Sequence, residues 1–102
     1  MLKFKLDFSE RAFENLKLLA FDPAQQIAYK AVIKALKLME TNLKHPSLNT
    51  HIFYGLKGQA GEKVFESYAQ NKTSGAYRMF WHYGPSKNEL TILAIIPHPD
   101  FH

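Results

Sequence analysis

Cysteine is absent from the 102 residues of this sequence, so neither disulfide bonds nor thiolate metal ligands are available. The chain also lacks any apolar run approaching the roughly 20 residues that cross a bilayer. Charged residues interrupt even the short apolar stretch at residues 1–10, where a leader segment would place its apolar core. From these absences we expect a cytoplasmic protein that has no membrane contact.

Arginine is scarce: Arg11 and Arg78 are the only two, and lysine supplies the other 11 of the 13 basic residues. The lysines are spread along the chain and form no run of the kind that marks a nucleic-acid-binding tail. The formal net charge is nevertheless +4, which favours a polyanionic or acidic partner. If the partner is a nucleic acid, its site must be assembled by folding.

Apolar and aromatic side chains are plentiful, at 46% and 14% of the residues. That share supplies enough apolar surface for a packed core and argues against disorder. The length suits one core and leaves little room for a second. We therefore expect a single domain over residues 1–102.

The first half of the chain has the pattern of one strand followed by two helices. Apolar and charged residues alternate over residues 2–8, which is typical of a half-buried strand. Ser9 is suited to cap a short first helix, and Asp22 followed by Pro23 is suited to start a second one over about residues 23–43. Small and apolar residues recur at helical spacing along the second helix, so one of its faces can pack closely on a neighbour.

The second half is predicted to contain three strands. Residues 47–61 carry three glycines and indicate a loop with one short extended piece at 51–54. Strands are predicted over residues 62–70, 76–83 and 89–96, with short turns between them. Short connections join antiparallel neighbours, and the two helices must cover one face of the sheet. The predicted fold class is α+β, with two N-terminal helices packed on an antiparallel sheet in the order β-α-α-β-β-β.

Side-chain alternation assigns the residues of the strand at 76–83 to two faces. One face carries Arg78, Phe80 and His82. The other face has more apolar area and is expected to meet the helices; it carries Tyr77, Met79, Trp81 and Tyr83. We therefore expect Arg78 and His82 on an open face with Phe80 between them as an apolar platform, an arrangement suited to single-stranded nucleic acid.

Four segments, taken in order, carry a resemblance to a known family. They are HPSL at residues 45–48, GLKG at 55–58, YRMF at 77–80, and the strand at 90–96 with His98 behind it. Together with the order of elements, they resemble the RelE/ParE superfamily, the toxins of bacterial type II toxin-antitoxin systems. The resemblance implies two helices on a twisted antiparallel sheet over essentially the whole chain.

The resemblance leaves three functions open. Many members are ribosome-dependent endoribonucleases that cleave mRNA and inhibit translation, whereas the ParE branch inhibits DNA gyrase. The histidine near the carboxyl terminus is similar to that of the RelE, HigB and YoeB-like mRNA interferases, so we favour metal-independent mRNA cleavage. The alternatives are a DNA gyrase inhibitor and a catalytically inactive member that binds an antitoxin or serves as a DNA-regulatory module.

The partners that the resemblance implies are a cognate antitoxin, in a toxin-antitoxin hetero-oligomer, and mRNA on the ribosome. It implies neither a metal ion nor another cofactor.

Three residues are candidates for the cleavage chemistry: Arg78, His98 and Glu66. An imidazole titrates close to neutral pH, so His98 can serve as a general acid or base. A guanidinium is planar, permanently charged and matched to phosphate, so Arg78 can hold the non-bridging oxygens. Glu66, on the neighbouring strand, is the candidate for a second proton transfer or for orienting Arg78.

Five further residues are candidates for RNA contacts: Lys57, Lys63, His82, Tyr83 and Phe101. The lysines suit flanking phosphates, Phe101 suits stacking on a base, and His82 or Tyr83 suits the wall of a groove. His45 and His51 have loop neighbours and no metal-ligand spacing. The sequence therefore indicates no role for either, and it predicts no metal site.

Overall fold

The computed structural model describes residues 3–98. Within them, the elements follow in the order β1 (Lys5–Phe8), α1 (Glu10–Phe21), α2 (Gln26–Thr41), β2 (His51–Lys57), β3 (Lys63–Tyr68), β4 (Tyr77–Tyr83) and β5 (Glu89–Pro97). Single 3-10 turns at Pro23–Gln25 and Pro46–Leu48 precede α2 and β2. In this part of the chain, no helix is long and apolar enough to span a membrane.

Both helical segments begin at the caps that the sequence predicts. The Ser9 hydroxyl accepts a hydrogen bond from the Ala12 amide at 3.0 Å, and the Asp22 carboxylate accepts one from the Ala24 amide at 2.9 Å. Because Pro23 has no amide hydrogen to leave unpaired, it fits the turn that leads into α2. The buried stripe of α2 consists of small and apolar residues, as predicted: Ala28, Val32, Ala35, Leu36 and Met39.

The sheet has five strands in the order β1-β5-β4-β3-β2. The strands from β2 to β5 pair in antiparallel fashion, whereas β1 lies parallel to β5, with Leu6 beside Leu90. The two helices carry the chain from the edge strand β1 to the opposite edge strand β2, and they cover one face on the way. This confirms the predicted α+β class. The sheet is mixed rather than antiparallel throughout, because β1, the first strand, pairs in parallel with β5, the last strand.

β2 is a full strand in a segment whose glycines indicate mainly loop. It pairs with β3 at the sheet edge, with His51 opposite Glu66 and Ile52 opposite Phe65, and the register is irregular further along. An irregular edge strand has a weak alternation signal, because most of its side chains stay in contact with solvent. The sequence therefore indicates only the start of this strand.

The sheet buries apolar side chains on both faces. On the helix side, Met79 and Trp81 pack with residues of both helices, as predicted. On the other side, Phe80 packs with side chains of β2 and β5, and its ring centroid lies 4.8 Å from that of Phe53. Phe80 is 0% exposed, so the expectation of an open apolar platform is wrong. The reason is that β2, only partly predicted from the sequence, covers this part of the face.

A candidate active site around Glu66

A buried carboxylate lies at the centre of a charged cluster on the sheet face away from the helices. The Glu66 side chain is 2% exposed, and each of its two oxygens contacts a histidine. His51 Nε2 lies 2.8 Å from Oε1, and His98 Nδ1 lies 2.8 Å from Oε2. A carboxylate removed from water requires such partners, so the two histidines replace hydrogen bonds that Glu66 would otherwise lose.

Strand pairing assembles this cluster. Glu66 lies in β3, directly opposite His51 of β2 and Phe80 of β4. His98 follows β5 and continues its pairing, because its backbone amide donates to the Ala76 carbonyl at 2.7 Å. The charged groups are therefore held by a sheet, which fixes their positions more firmly than a loop would.

A bulge in β5 decides which face His98 occupies. Leu93 is an extra residue between two successive strand pairs of β4 and β5. One extra residue reverses the alternation of the side chains that follow it. Ile92 packs on the helix side, but Ala94 packs on the other side. His98, four residues beyond Ala94, consequently reaches the face that carries Glu66.

Arg78 lies beside Glu66 and is nearly as deeply buried, at 7% exposed. Its Nε is 3.6 Å from Glu66 Oε2, and its guanidinium carbon is 3.6 Å from the centre of the Tyr68 ring. Nη1 donates to the carbonyl oxygens of Gln70 and Tyr77. Within residues 3–98, Nε has no hydrogen-bond partner. Arg78 therefore balances the charge of Glu66 from beneath the surface, rather than from the open face expected from the sequence.

The two histidines differ in how their ring nitrogens are used. His51 Nδ1 lies 2.7 Å from the Asn49 carbonyl oxygen, so both of its nitrogens face acceptors. Each of these two nitrogens donates when it carries a ring hydrogen, so the side chain is tied to both β3 and its own loop. His98 meets Glu66 through Nδ1, and its side chain is 53% exposed. With a hydrogen on Nδ1, the lone pair of the neutral His98 ring lies on Nε2.

This arrangement suits proton transfer. A buried carboxylate that accepts a hydrogen bond from one imidazole nitrogen fixes the tautomer and orientation of the ring, so that the other nitrogen can act on a substrate. Arg78 balances the charge of Glu66, so the cluster does not present an uncompensated negative charge to an anionic substrate. Among the described residues, no group of three or more His, Cys, Asp or Glu side chains is arranged to hold a metal ion.

His82 and Tyr83, predicted to line an RNA groove, occupy other positions. His82 is 6% exposed, and its Nδ1 lies 2.8 Å from the Tyr83 carbonyl oxygen. The Tyr83 ring packs against Phe65 and Trp81, at centroid distances of 5.5 and 5.0 Å. His82 is therefore a buried residue in this structure, and Tyr83 lies on the helix side of the sheet.

The remaining predicted RNA contacts are also separate from the cluster. Lys57 and Lys63 are exposed and lie opposite each other in β2 and β3. Lys63 is three residues from Glu66, about 10 Å along the strand, and an odd separation directs it to the other side. Phe101 lies outside the described residues. The structure thus brings together the three predicted catalytic residues and leaves both lysines elsewhere.

Two residues of the cluster have no role predicted from the sequence: His51 and Tyr68. His51 contacts Glu66, and the Tyr68 ring meets the His51 ring edge-on, at a centroid distance of 5.8 Å. A signal for His51 exists, since it opens the extended piece predicted at 51–54. That signal does not predict the contact between His51 and Glu66, because the register of an edge strand depends on packing against the rest of the sheet.

The fold and the cluster together define a class of small α+β proteins, with two helices on one face of a sheet and charged groups on the other. No protein-family model matches this chain, and no curated protein matches it. Several solved structures match it over nearly its whole length.

These solved structures are those of toxins. The YoeB/ParE toxin from Agrobacterium tumefaciens has a TM-score of 0.65 at 10% identity, over 94% of this chain and 100% of that chain. The archaeal RelE-RelB complex from Pyrococcus horikoshii has a TM-score of 0.64 at 11% identity, and the match covers 98% of this chain and 100% of that chain. The E. coli DinJ-YafQ toxin-antitoxin complex has a TM-score of 0.65 at 11% identity, and the match covers 95% of this chain and 94% of that chain. The chain therefore has the fold of the RelE, YoeB and YafQ toxins, which confirms the RelE/ParE resemblance at the level of the fold.

Proposed function

We propose that this chain is the toxin of a toxin-antitoxin pair and that it cleaves mRNA on the ribosome without a metal ion. The fold supports the first part, because the similar structures include a toxin-antitoxin complex. One observation carries the second part: the buried Glu66 carboxylate orients the half-exposed His98 through Nδ1. A surface that only bound a partner would not need an oriented, titratable imidazole.

In the proposed reaction, His98 acts as the general base. Its Nε2 takes the proton of a ribose 2'-hydroxyl, and the 2'-oxygen attacks the adjacent phosphorus. The bond between phosphorus and the 2'-oxygen forms as the bond to the 5'-oxygen breaks, and a water molecule protonates the departing 5'-oxygen. The products are a 2',3'-cyclic phosphate and a 5'-hydroxyl end, and His98 then returns its proton to solvent.

The charges of the cluster support this reaction. Arg78 neutralises Glu66, so the carboxylate can orient His98 without repelling a phosphate. When His51 is protonated, it adds a positive charge that stabilises the developing phosphorane. Because only 7% of Arg78 is exposed, its part in this proposal is electrostatic rather than direct contact with the phosphate.

The test is cleavage of an mRNA in a reconstituted translation reaction. We expect His98→Ala to lower the cleavage rate by about 10² or more. The protein should stay folded, because half of this side chain is exposed. His45→Asn is the matched control, since it replaces a histidine outside the cluster by a residue that can also cap the turn at Pro46–Leu48.

Three outcomes would contradict the proposal. The first is cleavage by His98→Ala at the wild-type rate. The second is growth arrest with gyrase-dependent DNA damage in both the wild type and His98→Ala, which would identify a gyrase inhibitor. The third is a wild-type protein without effect in either assay, which would identify an inactive binding module.

The antitoxin is the proposed protein partner, and the exposed side of α2 is a surface that fits it. A groove of about 460 Å³ there is lined by apolar and basic side chains: Tyr29, Ile33, Leu38, Lys30, Lys34 and Lys37. Lysines around an apolar strip are complementary to an acidic amphipathic segment. We therefore assign this groove to an acidic segment of the antitoxin.

A further inference from the structure

Tyr68 contacts the cluster but has no part in the proposed reaction. It lies in β3, two residues after Glu66, and is the cross-strand partner of Arg78. The guanidinium carbon of Arg78 lies 3.6 Å from the centre of the Tyr68 ring, which is a close cation-π contact. The ring is therefore placed to control where the Arg78 guanidinium lies.

One oxygen of Glu66 faces two donors. His98 Nδ1 is 2.8 Å from Oε2, whereas Arg78 Nε stays at 3.6 Å from the same atom. A hydrogen bond between charged groups normally spans about 2.7 to 2.9 Å. Arg78 Nε thus stops short of Oε2 and remains a buried donor with no hydrogen-bond partner in residues 3–98, which costs free energy. Other contacts must hold it back.

Those contacts are visible around the guanidinium. Nη1 donates to the carbonyl oxygens of Gln70 and Tyr77, which fixes one end of the group. The Tyr68 ring lies against its flat face, which fixes its plane. We infer that Tyr68 is a positioning residue: its ring holds Arg78 just beyond hydrogen-bond distance from Glu66 Oε2, so that His98 is the one strong donor to that oxygen within residues 3–98. The consequence for cleavage rests on the proposed function, whereas the effect on His98 does not.

The experiment compares Tyr68→Leu, which removes the ring, with Tyr68→Phe, which keeps the ring and removes the hydroxyl. The first measurement is nitrogen-15 NMR of the His98 ring, which reports the hydrogen bond at Nδ1 independently of any RNA. We expect this bond to weaken in Tyr68→Leu, because a charge-assisted bond from Arg78 to Oε2 competes with it, and to be unchanged in Tyr68→Phe. The second measurement is mRNA cleavage, where we expect kcat to fall about tenfold in Tyr68→Leu, with KM unchanged and wild-type behaviour in Tyr68→Phe.

An unchanged His98 signal in folded Tyr68→Leu overturns the inference. Loss of the signal in Tyr68→Phe overturns it as well, because the hydroxyl rather than the ring would then be responsible. If Tyr68→Leu does not fold, Tyr68→Met offers an unbranched, more adaptable side chain without a ring and carries the same expectation. If the variants change the His98 signal as expected but the wild type does not cleave mRNA, the proposed function fails and the positioning role of Tyr68 stands.

Discussion

The imidazole of His98 and the carboxylate of Glu66 meet at 2.8 Å, between Nδ1 and Oε2, although 32 residues separate them along the chain. β4 lies between β3 and β5, so the two residues do not belong to neighbouring strands. Their contact depends on the bulge at Leu93, on the burial of Glu66 and on the counter-ion Arg78. The groups that make this contact can be tested by substitution.

Neutralising Glu66 should cost more stability than removing its charge together with that of Arg78. In Glu66→Gln, Arg78 stays buried without a counter-ion, and we expect the free energy of unfolding to fall by about 3 kcal/mol. In the double variant Glu66→Gln/Arg78→Met, the apolar side chain needs no counter-ion, so part of the loss should be recovered. Urea denaturation measures both values. A double variant less stable than Glu66→Gln would argue against the charge pair.

Phe80 should behave as a core residue and not as a surface on which RNA stacks. It is 0% exposed and packs edge-to-face on Phe53, so we expect Phe80→Ala to lower the free energy of unfolding by about 4 kcal/mol. Tyr54 is 86% exposed, so the control Tyr54→Ala should change the free energy of unfolding by no more than about 0.5 kcal/mol. Thermal or urea denaturation distinguishes the two. Equal, small losses would place Phe80 at the surface.

Glu62 should make stability depend on pH. The backbone N–H groups of Glu62 itself and of Ala60 hold the pKa of the Glu62 carboxyl below its ordinary value. A lowered pKa in the folded state adds stability above the unfolded-state pKa, and that stability is lost as the pH falls through the folded-state pKa. The wild type should therefore be more stable than Glu62→Gln at neutral pH, and the two should converge as the pH falls below about 4. Identical urea midpoints at neutral pH would refute this.

Charge reversal on α2 should weaken antitoxin binding. Lys30, Lys34 and Lys37 line the groove assigned to an acidic segment, so a triple substitution to Glu should lower the affinity at least about tenfold. The dependence of affinity on salt should also reverse, because like charges then meet across the groove and salt screens their repulsion. Calorimetry at low and high ionic strength measures both effects. The single variants Lys34→Glu and Lys87→Glu change the net charge equally, and Lys87 lies outside the groove, in the turn between β4 and β5; an equal loss in these two would point to net charge alone.

The helices and the last three strands could be predicted because their signals are local. Ser9 caps a helix within one turn, and the apolar stripe of α2 repeats every few residues. Local strand and turn patterns were enough to place Glu66 and Arg78 on neighbouring strands. The role of His51 could not be predicted in this way, because its contact with Glu66 exists only in the pairing of an edge strand whose alternation is weak.

The sequence by itself determined the α+β class, both helices and the residue types of the candidate catalytic set, since periodicity and caps act over short distances along the chain. Only the tertiary structure decided which of those residues meet. The extra residue at Leu93 turns His98 towards Glu66, and the cover over the sheet face buries Phe80 and Arg78. Register and burial are set by packing between distant segments, and that packing energy has no counterpart in any local pattern.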